Sequence, residues 1–228
     1  MTMKTVFQLS MILDSDKFQE IFDQCCCCSD YPEEQDDELV DRSMEESGVI
    51  VYYRPSQLKK RVRLVVDAAM LTGSLSPTPE KVVKKLGKLI TNYFDSEYEL
   101  NDFMLSGMIL SVDLDVGTSS VHEYLHVLRR VGKVKGYDPV DHEELEGSDY
   151  FGLTGKSNST NFFVYNLAEA MNEQCGWSGA GKLHLKSIAQ EVEGILRVEI
   201  HLTKPRAVQR YTEQYTVENQ LLELYEKR

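Results

Sequence analysis

The chain has 228 residues, of which 42% are hydrophobic and 27% are charged, as in an ordinary globular protein. A chain of this length can bury a substantial core, and no stretch approaches the roughly 18 uninterrupted apolar residues of a membrane-spanning helix. The first residues lack the long apolar run of a secretory signal. We therefore expect a cytoplasmic protein without a membrane partner, and a phage-encoded chain would lie in the host cytoplasm.

The net charge of -12 argues against a nucleic-acid partner, but the charge is unevenly distributed. Residues 1–50 hold 13 acidic and 3 basic side chains, whereas the rest of the chain holds 24 acidic and 22 basic ones. The basic residues form runs, of which the first is Lys59, Lys60, Arg61 and Arg63. Such a run can follow a phosphate backbone, although a solvated helix face has the same composition.

Four of the five cysteines are consecutive, from Cys25 to Cys28. Neighbouring residues cannot direct four sulfurs at one metal ion, and no Cys-x-x-Cys pair is present. The pattern favours reduced cysteines at the end of a helix, with membrane attachment through acylated cysteines as the alternative.

Hydrophobic periodicity predicts elements along the whole chain. In the first half it predicts a strand at 5–13, a helix at 17–24, an exposed and mobile acidic loop at 29–48, a strand at 48–53, and helices at 56–71 and 76–94. In the second half it predicts a strand at 107–117, a helix at 119–131, a hairpin of 150–153 with 161–165, a helix at 168–175, a strand at 194–203 and helical structure from 205 onward. We expect a single domain over residues 1–228 with an α+β fold, a mainly antiparallel central sheet covered by helices.

Three features could carry chemistry. Asp113 and Asp115 lie two residues apart on a strand, so their carboxylates face one side and could share a proton or bind a divalent cation. Arg197, Glu199 and His201 alternate with four apolar residues on another strand and form either an acid, base and metal-ligand set or a solvated strand face. Tyr165 lies in the aromatic strand FFVYN, where a nucleophile or a packed core side chain would both fit.

Taken in chain order, these features resemble the rolling-circle replication initiators of plasmids and filamentous phages. The resemblance rests on an acidic strand, a Gly-x-Lys-Ser-x-Ser turn leading into a strand that ends in Tyr-Asn, and a strand reading Leu-Arg-Val-Glu-Ile. It covers roughly the C-terminal half of the chain, and its specificity comes from the order and spacing of short motifs.

The resemblance implies a DNA nickase and strand-joining enzyme. In that family a tyrosine attacks one DNA strand and becomes linked to its 5′ phosphate, while an aspartate and a glutamate help hold a divalent metal ion, here Mg²⁺ or Mn²⁺. Tyr165 matches the nucleophile, Arg197 the arginine, Glu199 the glutamate and Asp113 the earlier acid. Asp115 and His201, on the same strands as Asp113 and Glu199, are further candidate metal ligands. The candidate DNA contacts are basic residues of the first run and of the turn: Lys59, Lys60, Arg61, Arg63 and Lys156.

Two departures from the family pattern reduce the expected activity. Leu167 stands where the family has a lysine two residues after the tyrosine, and Phe163 replaces an arginine. Phosphoryl transfer depends on such cations, so these departures should preserve the fold better than the activity. The alternative is therefore a catalytically lapsed initiator fold, used by a phage or plasmid as a binding or inhibitory protein with a protein partner.

A third hypothesis is a zinc hydrolase. His122-Glu123-Tyr124-Leu125-His126 fits His-Glu-x-x-His on a predicted helix, where two histidines one turn apart can share a zinc ion and the glutamate can act as base. A third ligand would come from Asp141, His142, Glu143 or Glu146. Surface histidines that match the pattern by chance are the competing interpretation.

Overall fold

The chain forms two compact units. A first unit contains Thr5–Ile109 and Thr203–Arg228, and a second unit contains Leu110–Leu202 with Met1–Lys4. The prediction of a single domain over residues 1–228 stays a prediction. The structure, a computed structural model, describes residues 4–14, 33–35, 38–55, 60–74, 77–94, 97–130, 134–140, 150–173 and 192–226.

The first unit is a sheet with helices. Its strands have the order β2-β3-β4-β5-β1-β6, and the pairs from β2 to β1 are antiparallel. The strands are β1 (Lys4–Asp14), β2 (Glu33–Gln35), β3 (Glu38–Asp41), β4 (Val49–Pro55), β5 (Lys60–Asp67) and β6 (Met104–Asp115), the last of which continues into the second unit. The helices are α1 (Ala68–Thr72), α2 (Pro79–Tyr93), α5 (Pro205–Thr212) and α6 (Val217–Glu226), with 3-10 turns at Glu45–Ser47 and Leu100–Asp102.

Helix α2 begins as its sequence predicts. Pro79 occupies the first turn, where its missing N–H costs no hydrogen bond, and Thr78 precedes it with extended backbone. Val82, Leu86 and Ile90 recur at helical spacing and are fully buried, so they form the apolar face that holds the helix in the core.

The helix predicted over 56–71 is wrong over Lys60–Asp67 and right over its last residues, 68–71. Lys60–Asp67 is strand β5, and only Ala68–Thr72 is helical. Val62, Leu64 and Val66 are buried while the residues between them are half-buried, which is the period of two of a strand. Over so short a segment the apolar residues fit both the helical period and the strand period. Hydrogen-bonded pairing of β5 with β4 and β1 stabilises the strand.

Other predicted elements hold with corrections. The strands at 5–13, 48–53 and 107–117 appear as β1, β4 and β6. Within the predicted loop at 29–48, Glu33–Gln35 and Glu38–Asp41 are instead paired strands. The helix predicted at 17–24 and the four consecutive cysteines lie outside the described residues.

The second unit has a sheet of order β6-β10-β9-β8-β7. The pairs from β10 to β7 are antiparallel, and the hairpin of β8 and β9 surrounds the predicted polar turn. The elements are α3 (Val121–Arg129), β7 (Tyr137–Pro139), β8 (Tyr150–Gly155), β9 (Thr160–Asn166), α4 (Leu167–Glu173) and β10 (Ile195–Leu202). The predicted α+β class, with mainly antiparallel sheet and covering helices, is confirmed.

Helix α3 covers one face of this sheet. Val121 and Leu125 pack with a buried cluster from the strands, whose members are Phe151, Leu153, Val164 and Leu196. Tyr124 on the same helix is 50% exposed, because the buried residues of the helix are Val121 and Leu125. The opposite face of the sheet is therefore left for the polar side chains of β6, β9 and β10.

Candidate active site on the second unit

Strand register brings the predicted site residues onto one sheet face. In the antiparallel pair of β9 and β10, Arg197 lies opposite Tyr165, and Glu199 lies opposite Phe163. The alternate residues Val164 and Leu196 belong to the cluster under α3. Side chains alternate along a strand, so Tyr165, Arg197, Glu199 and His201 share the other face.

Asp113 and Arg197 form a bidentate ion pair at this face. Arg197 Nε donates to Asp113 Oδ1 at 2.7 Å, and Arg197 Nη2 donates to Asp113 Oδ2 at 2.8 Å. Arg197 is only 2% exposed. Burial alone would lower the pKa of this guanidinium, but its hydrogen bonds and attraction to Asp113 outweigh burial and raise the pKa above its ordinary value. The guanidinium is consequently a fixed positive charge within the sheet.

A second chain of contacts joins Tyr165, Glu199 and His201. The Tyr165 hydroxyl donates to Glu199 Oε1 at 2.5 Å, and His201 Nε2 lies 2.7 Å from Glu199 Oε2. The His201 ring also stacks at a tilt on Phe163, with 4.6 Å between ring centroids. Both oxygens of a carboxylate that is only 4% exposed are therefore held by polar partners.

The Tyr165 phenol is strongly biased toward its neutral form. Burial, followed by the negative charge of Glu199, raises its pKa well above the ordinary value, and Arg197 opposes this with a smaller effect. A phenol in this state donates a short hydrogen bond and does not ionise spontaneously near neutral pH. It could attack an electrophile only if Glu199 accepted its proton during the attack.

Of the two interpretations of the polar face on β10, a solvated strand face is wrong for Arg197 and Glu199, which are both buried. Both are more deeply buried than Val198 and Ile200, two of the apolar residues that alternate with them. Burial is tolerated because each charge has partners. Asp113 pairs with the Arg197 guanidinium, and Tyr165 and His201 contact the two oxygens of Glu199.

The four predicted metal ligands do not form a metal centre in this arrangement. Both oxygens of Asp113 accept from Arg197, and exposed Asp115 accepts from the backbone N–H of Gly117 at 3.2 Å. Glu199 and His201 contact each other, and the described residues contain no group of three His, Cys, Asp or Glu side chains that could hold a metal ion. The donor set does not fit a metal ion here, so the dependence on Mg²⁺ or Mn²⁺ stays a prediction.

Phe163 and Leu167, the two departures from the resembled pattern, have structural roles. Phe163 stacks on His201, and Leu167 is buried at the start of α4. Neither can supply a positive charge to a phosphate. Arg197 is therefore the predicted catalytic cation that the fold does bring to Tyr165.

The predicted zinc pair is engaged by neighbouring side chains. His122 Nε2 lies 3.2 Å from Glu169 Oε1, and Arg130 donates to His126 Nε2 at 2.8 Å. A nitrogen that accepts from a guanidinium cannot ligate zinc at the same time, and the nearby positive charge opposes a cation. The proposed third ligands, Asp141, His142, Glu143 and Glu146, lie outside the described residues.

The predicted DNA-contacting residues occur in both units. In the first unit Lys60 opens β5, and Arg61 and Arg63 are half-buried along it, with Arg63 Cζ 4.1 Å from the centroid of the Tyr52 ring. Lys156 is exposed in the turn between β8 and β9 of the second unit. Lys59 is outside the part of the chain that the structure describes.

The sequence predicted residues that the structure brings together, but two of the contacts among them were missed. Asp113 was predicted to pair with Asp115 around a metal ion, whereas its partner is Arg197. The stacking of Phe163 on His201 was also missed, although position 163 had been noted for its lost arginine. The alternation of side chains along β9 and β10 would predict the contact between Phe163 and His201 once the register of the two strands is known.

Among the described helices, none is long and apolar enough to cross a membrane. No protein-family model and no curated protein matches the sequence. Among solved structures, the chain aligns with that of the rolling circle replication initiator protein from Geobacillus stearothermophilus. That alignment covers 92% of this chain and 78% of that chain, with 13% sequence identity and a TM-score of 0.45.

Proposed function

We propose that the chain is a DNA-directed protein that nicks and rejoins one DNA strand through Tyr165. The observation that carries the proposal is the contact chain of Tyr165, Glu199 and His201 beside the Arg197 guanidinium. A hydroxyl nucleophile, a carboxylate acceptor and a third group that orients the acceptor are the usual parts of an activated nucleophile.

The chemistry assigned to these residues is a transesterification. As a phosphodiester approaches, the Tyr165 oxygen forms a bond to phosphorus and its proton moves to Glu199 Oε1. The bond from phosphorus to the 3′ oxygen breaks, and that oxygen leaves as a hydroxyl after taking a proton from water. Arg197 offsets negative charge on the phosphorus-bound oxygens, and the reverse reaction rejoins the strand.

The test is incubation of the full chain with supercoiled plasmid DNA and either Mg²⁺ or Mn²⁺. We expect relaxed circles and a protein–DNA adduct that survives denaturation, both lost in Tyr165→Phe. Tyr150→Phe is the matched control, since Tyr150 lies directly opposite Tyr165 on β8 and loses the same atom. Failure of the unmodified protein to form either product, or equal activity in Tyr165→Phe, would overturn the proposal.

The second candidate is a catalytically lapsed form of the same fold that acts by binding DNA or a protein. It is favoured by the closed pairing of Asp113 with Arg197 and by the raised pKa of Tyr165, which oppose metal binding and nucleophilic attack. This candidate predicts retained DNA binding with no nicked product under either metal. Glu199→Gln separates the two, because it should abolish nicking while leaving binding within about twofold.

A further inference from the structure

A cavity in the first unit belongs to none of the site residues above. It is open to solvent, has a volume of about 650 Å³, and lies among the 3-10 turn Glu45–Ser47, α1 and α2. All of its lining residues fall between positions 44 and 93. It can therefore be tested independently of Tyr165.

One part of the lining is apolar and adaptable. Met44, Met70 and Leu89 are half-buried lining residues, and Leu71, which also lines the cavity, is buried. The thioethers of two methionines are polarisable and make favourable contacts with aromatic rings. This part of the cavity suits a planar ring better than a branched aliphatic group.

The other part is polar and carries positive charge. Lys85, Lys88 and Asn92 recur at helical spacing on α2 and line the cavity. Lys85 Nζ donates to the backbone oxygen of Leu71 at 3.0 Å, which fixes its ammonium group at the wall. Among the lining residues the two lysines outnumber the one acidic side chain, Glu46, and the carboxylate of Asp41 lies buried behind Tyr93.

The cavity wall formed by Tyr93 is held in place by a chain of hydrogen bonds. Tyr93, which lines the cavity, donates its hydroxyl to Asp41 Oδ2 at 2.6 Å, and Tyr53 donates to the Tyr93 hydroxyl at 2.6 Å. Asp41 is 2% exposed and also accepts from the Ser43 backbone N–H at 2.8 Å. A wall fixed in this way does not need to be ordered when a ligand binds, which reduces the entropic cost of binding.

We propose that this cavity binds a nucleotide, with the base against the methionines and the phosphate at Lys85 and Lys88. An anionic group joined to a planar ring matches both parts of the lining, and Asn92 and Ser47 can hydrogen-bond to base edges. Six of the ten lining residues are polar, which disfavours a fatty acid in the same space. A free nucleoside monophosphate and one nucleotide of a single DNA strand present the same chemistry.

Calorimetric titration of the full chain with AMP, adenosine and inorganic phosphate tests the free-nucleotide source. Fluorescence anisotropy with a labelled deoxyadenosine oligonucleotide tests the strand source. We expect at least one of AMP and the oligonucleotide to bind, and adenosine and phosphate to bind about tenfold or more weakly, since each loses one half of the contacts.

Lys88→Ala should weaken that binding about tenfold through loss of a charge-assisted hydrogen bond. Lys84→Ala is the matched control, because Lys84 is an exposed lysine of the same helix that does not line the cavity. Circular dichroism on both variants verifies that the fold is retained. No binding in either assay, or equal weakening by Lys84→Ala and Lys88→Ala, would overturn the proposal.

The two sources and the two proposals remain separable. Binding of AMP that depends on Lys88 assigns the free nucleotide, and oligonucleotide binding that depends on Lys88 without AMP binding assigns the strand. Tyr165→Phe should leave nucleotide binding within about twofold, so loss of nicking and loss of binding report on different residues.

Discussion

At the scale of single residues, each buried charge in the sheet of the second unit has polar partners. Arg197 and Glu199 lie two residues apart on one strand and are both buried, which would be costly for isolated ions. Each has its own partners: Asp113 for the guanidinium, and Tyr165 with His201 for the carboxylate. The contacts that offset the cost of burying Arg197 and Glu199 also place the Tyr165 phenol beside the Glu199 carboxylate.

The raised pKa of Tyr165 predicts how stability depends on alkaline pH. Since the pKa of the folded state lies above the unfolded value near 10, this group contributes its full stabilisation below about pH 10. As pH rises further, only the unfolded chain loses the proton, so stability falls by up to about 1.4 kcal/mol per pH unit from this group. Urea unfolding between pH 8 and 11 should show a shallower decline in Tyr165→Phe.

Tyr215→Phe is the control for this measurement, because Tyr215 is 83% exposed and removal of its hydroxyl changes no buried contact. A decline equally steep in Tyr165→Phe and the unmodified protein would contradict the assigned contacts.

The pair of Asp113 and Arg197 predicts a difference between two neighbouring aspartates. Asp113→Asn removes the charge that faces a buried guanidinium, and we expect a loss of about 1 to 3 kcal/mol of unfolding free energy. Asp113 is 36% exposed at its side chain, so solvent screening keeps the loss below that of a fully buried pair. Asp115→Asn, at an exposed position on the same strand, should change stability by less than about 0.5 kcal/mol.

Chemical denaturation at neutral pH measures both variants. Similar losses at positions 113 and 115 would mean that the ion pair contributes nothing specific.

At the scale of elements, the connection into β4 depends on one glycine. Gly48 has φ +79°, and a Cβ there would lie 2.7 Å from Met70 Cβ and 2.9 Å from the Asp67 backbone oxygen. The turn also carries a backbone hydrogen bond from Asp67 N–H to the Gly48 oxygen at 2.8 Å. Close approach of the 3-10 turn to α1 therefore requires a residue without a side chain.

Gly48→Ala and Gly73→Ala form a matched pair. Both positions have positive φ, but a Cβ at Gly73 meets nothing within 4 Å. We expect Gly73→Ala to cost about 1 to 2 kcal/mol from backbone strain alone, and Gly48→Ala to cost at least about 2 kcal/mol more. Thermal or urea unfolding compares the two, and equal costs would show that the close contacts at Gly48 relax freely.

At the scale of the whole molecule, charge opposes nucleic-acid binding. The net charge is -12, and residues 1–50 contribute most of it. Any DNA affinity must therefore come from local clusters such as Arg61 and Arg63 on β5, where the Arg63 guanidinium lies over the Tyr52 ring. A ring and a guanidinium together can contact both base and phosphate of a single strand.

This distribution predicts a salt-sensitive affinity for single-stranded DNA. The logarithm of the association constant should fall linearly with the logarithm of salt concentration, and Arg63→Ala should reduce that slope by about 0.7. Arg42→Ala is the control, since Arg42 pairs with Glu45 at 3.1 Å on an exposed surface and removes the same charge. Equal slopes in the unmodified protein and Arg63→Ala would exclude Arg63 as a phosphate contact.

The sequence alone determined the elements whose pattern is strong and local. Helix α2 follows from Pro79 and the spacing of Val82, Leu86 and Ile90, and the hairpin of β8 and β9 follows from two apolar runs around a polar turn. It also identified the members of the candidate site, because polar residues that alternate with apolar ones on β10 are visible without a structure. Helical spacing and strand alternation both follow from local backbone geometry, so both are visible in the sequence.

Tertiary structure decided the features that depend on contacts between residues distant in sequence. Whether Lys60–Asp67 is strand or helix depended on its neighbours in the sheet, since its side chains fit either period. The partner of Arg197 is 84 residues away in sequence, and the partner of Tyr165 is 34 residues away. Burial of these charges became favourable only when the strands paired, so their pKa shifts and contacts are properties of the fold.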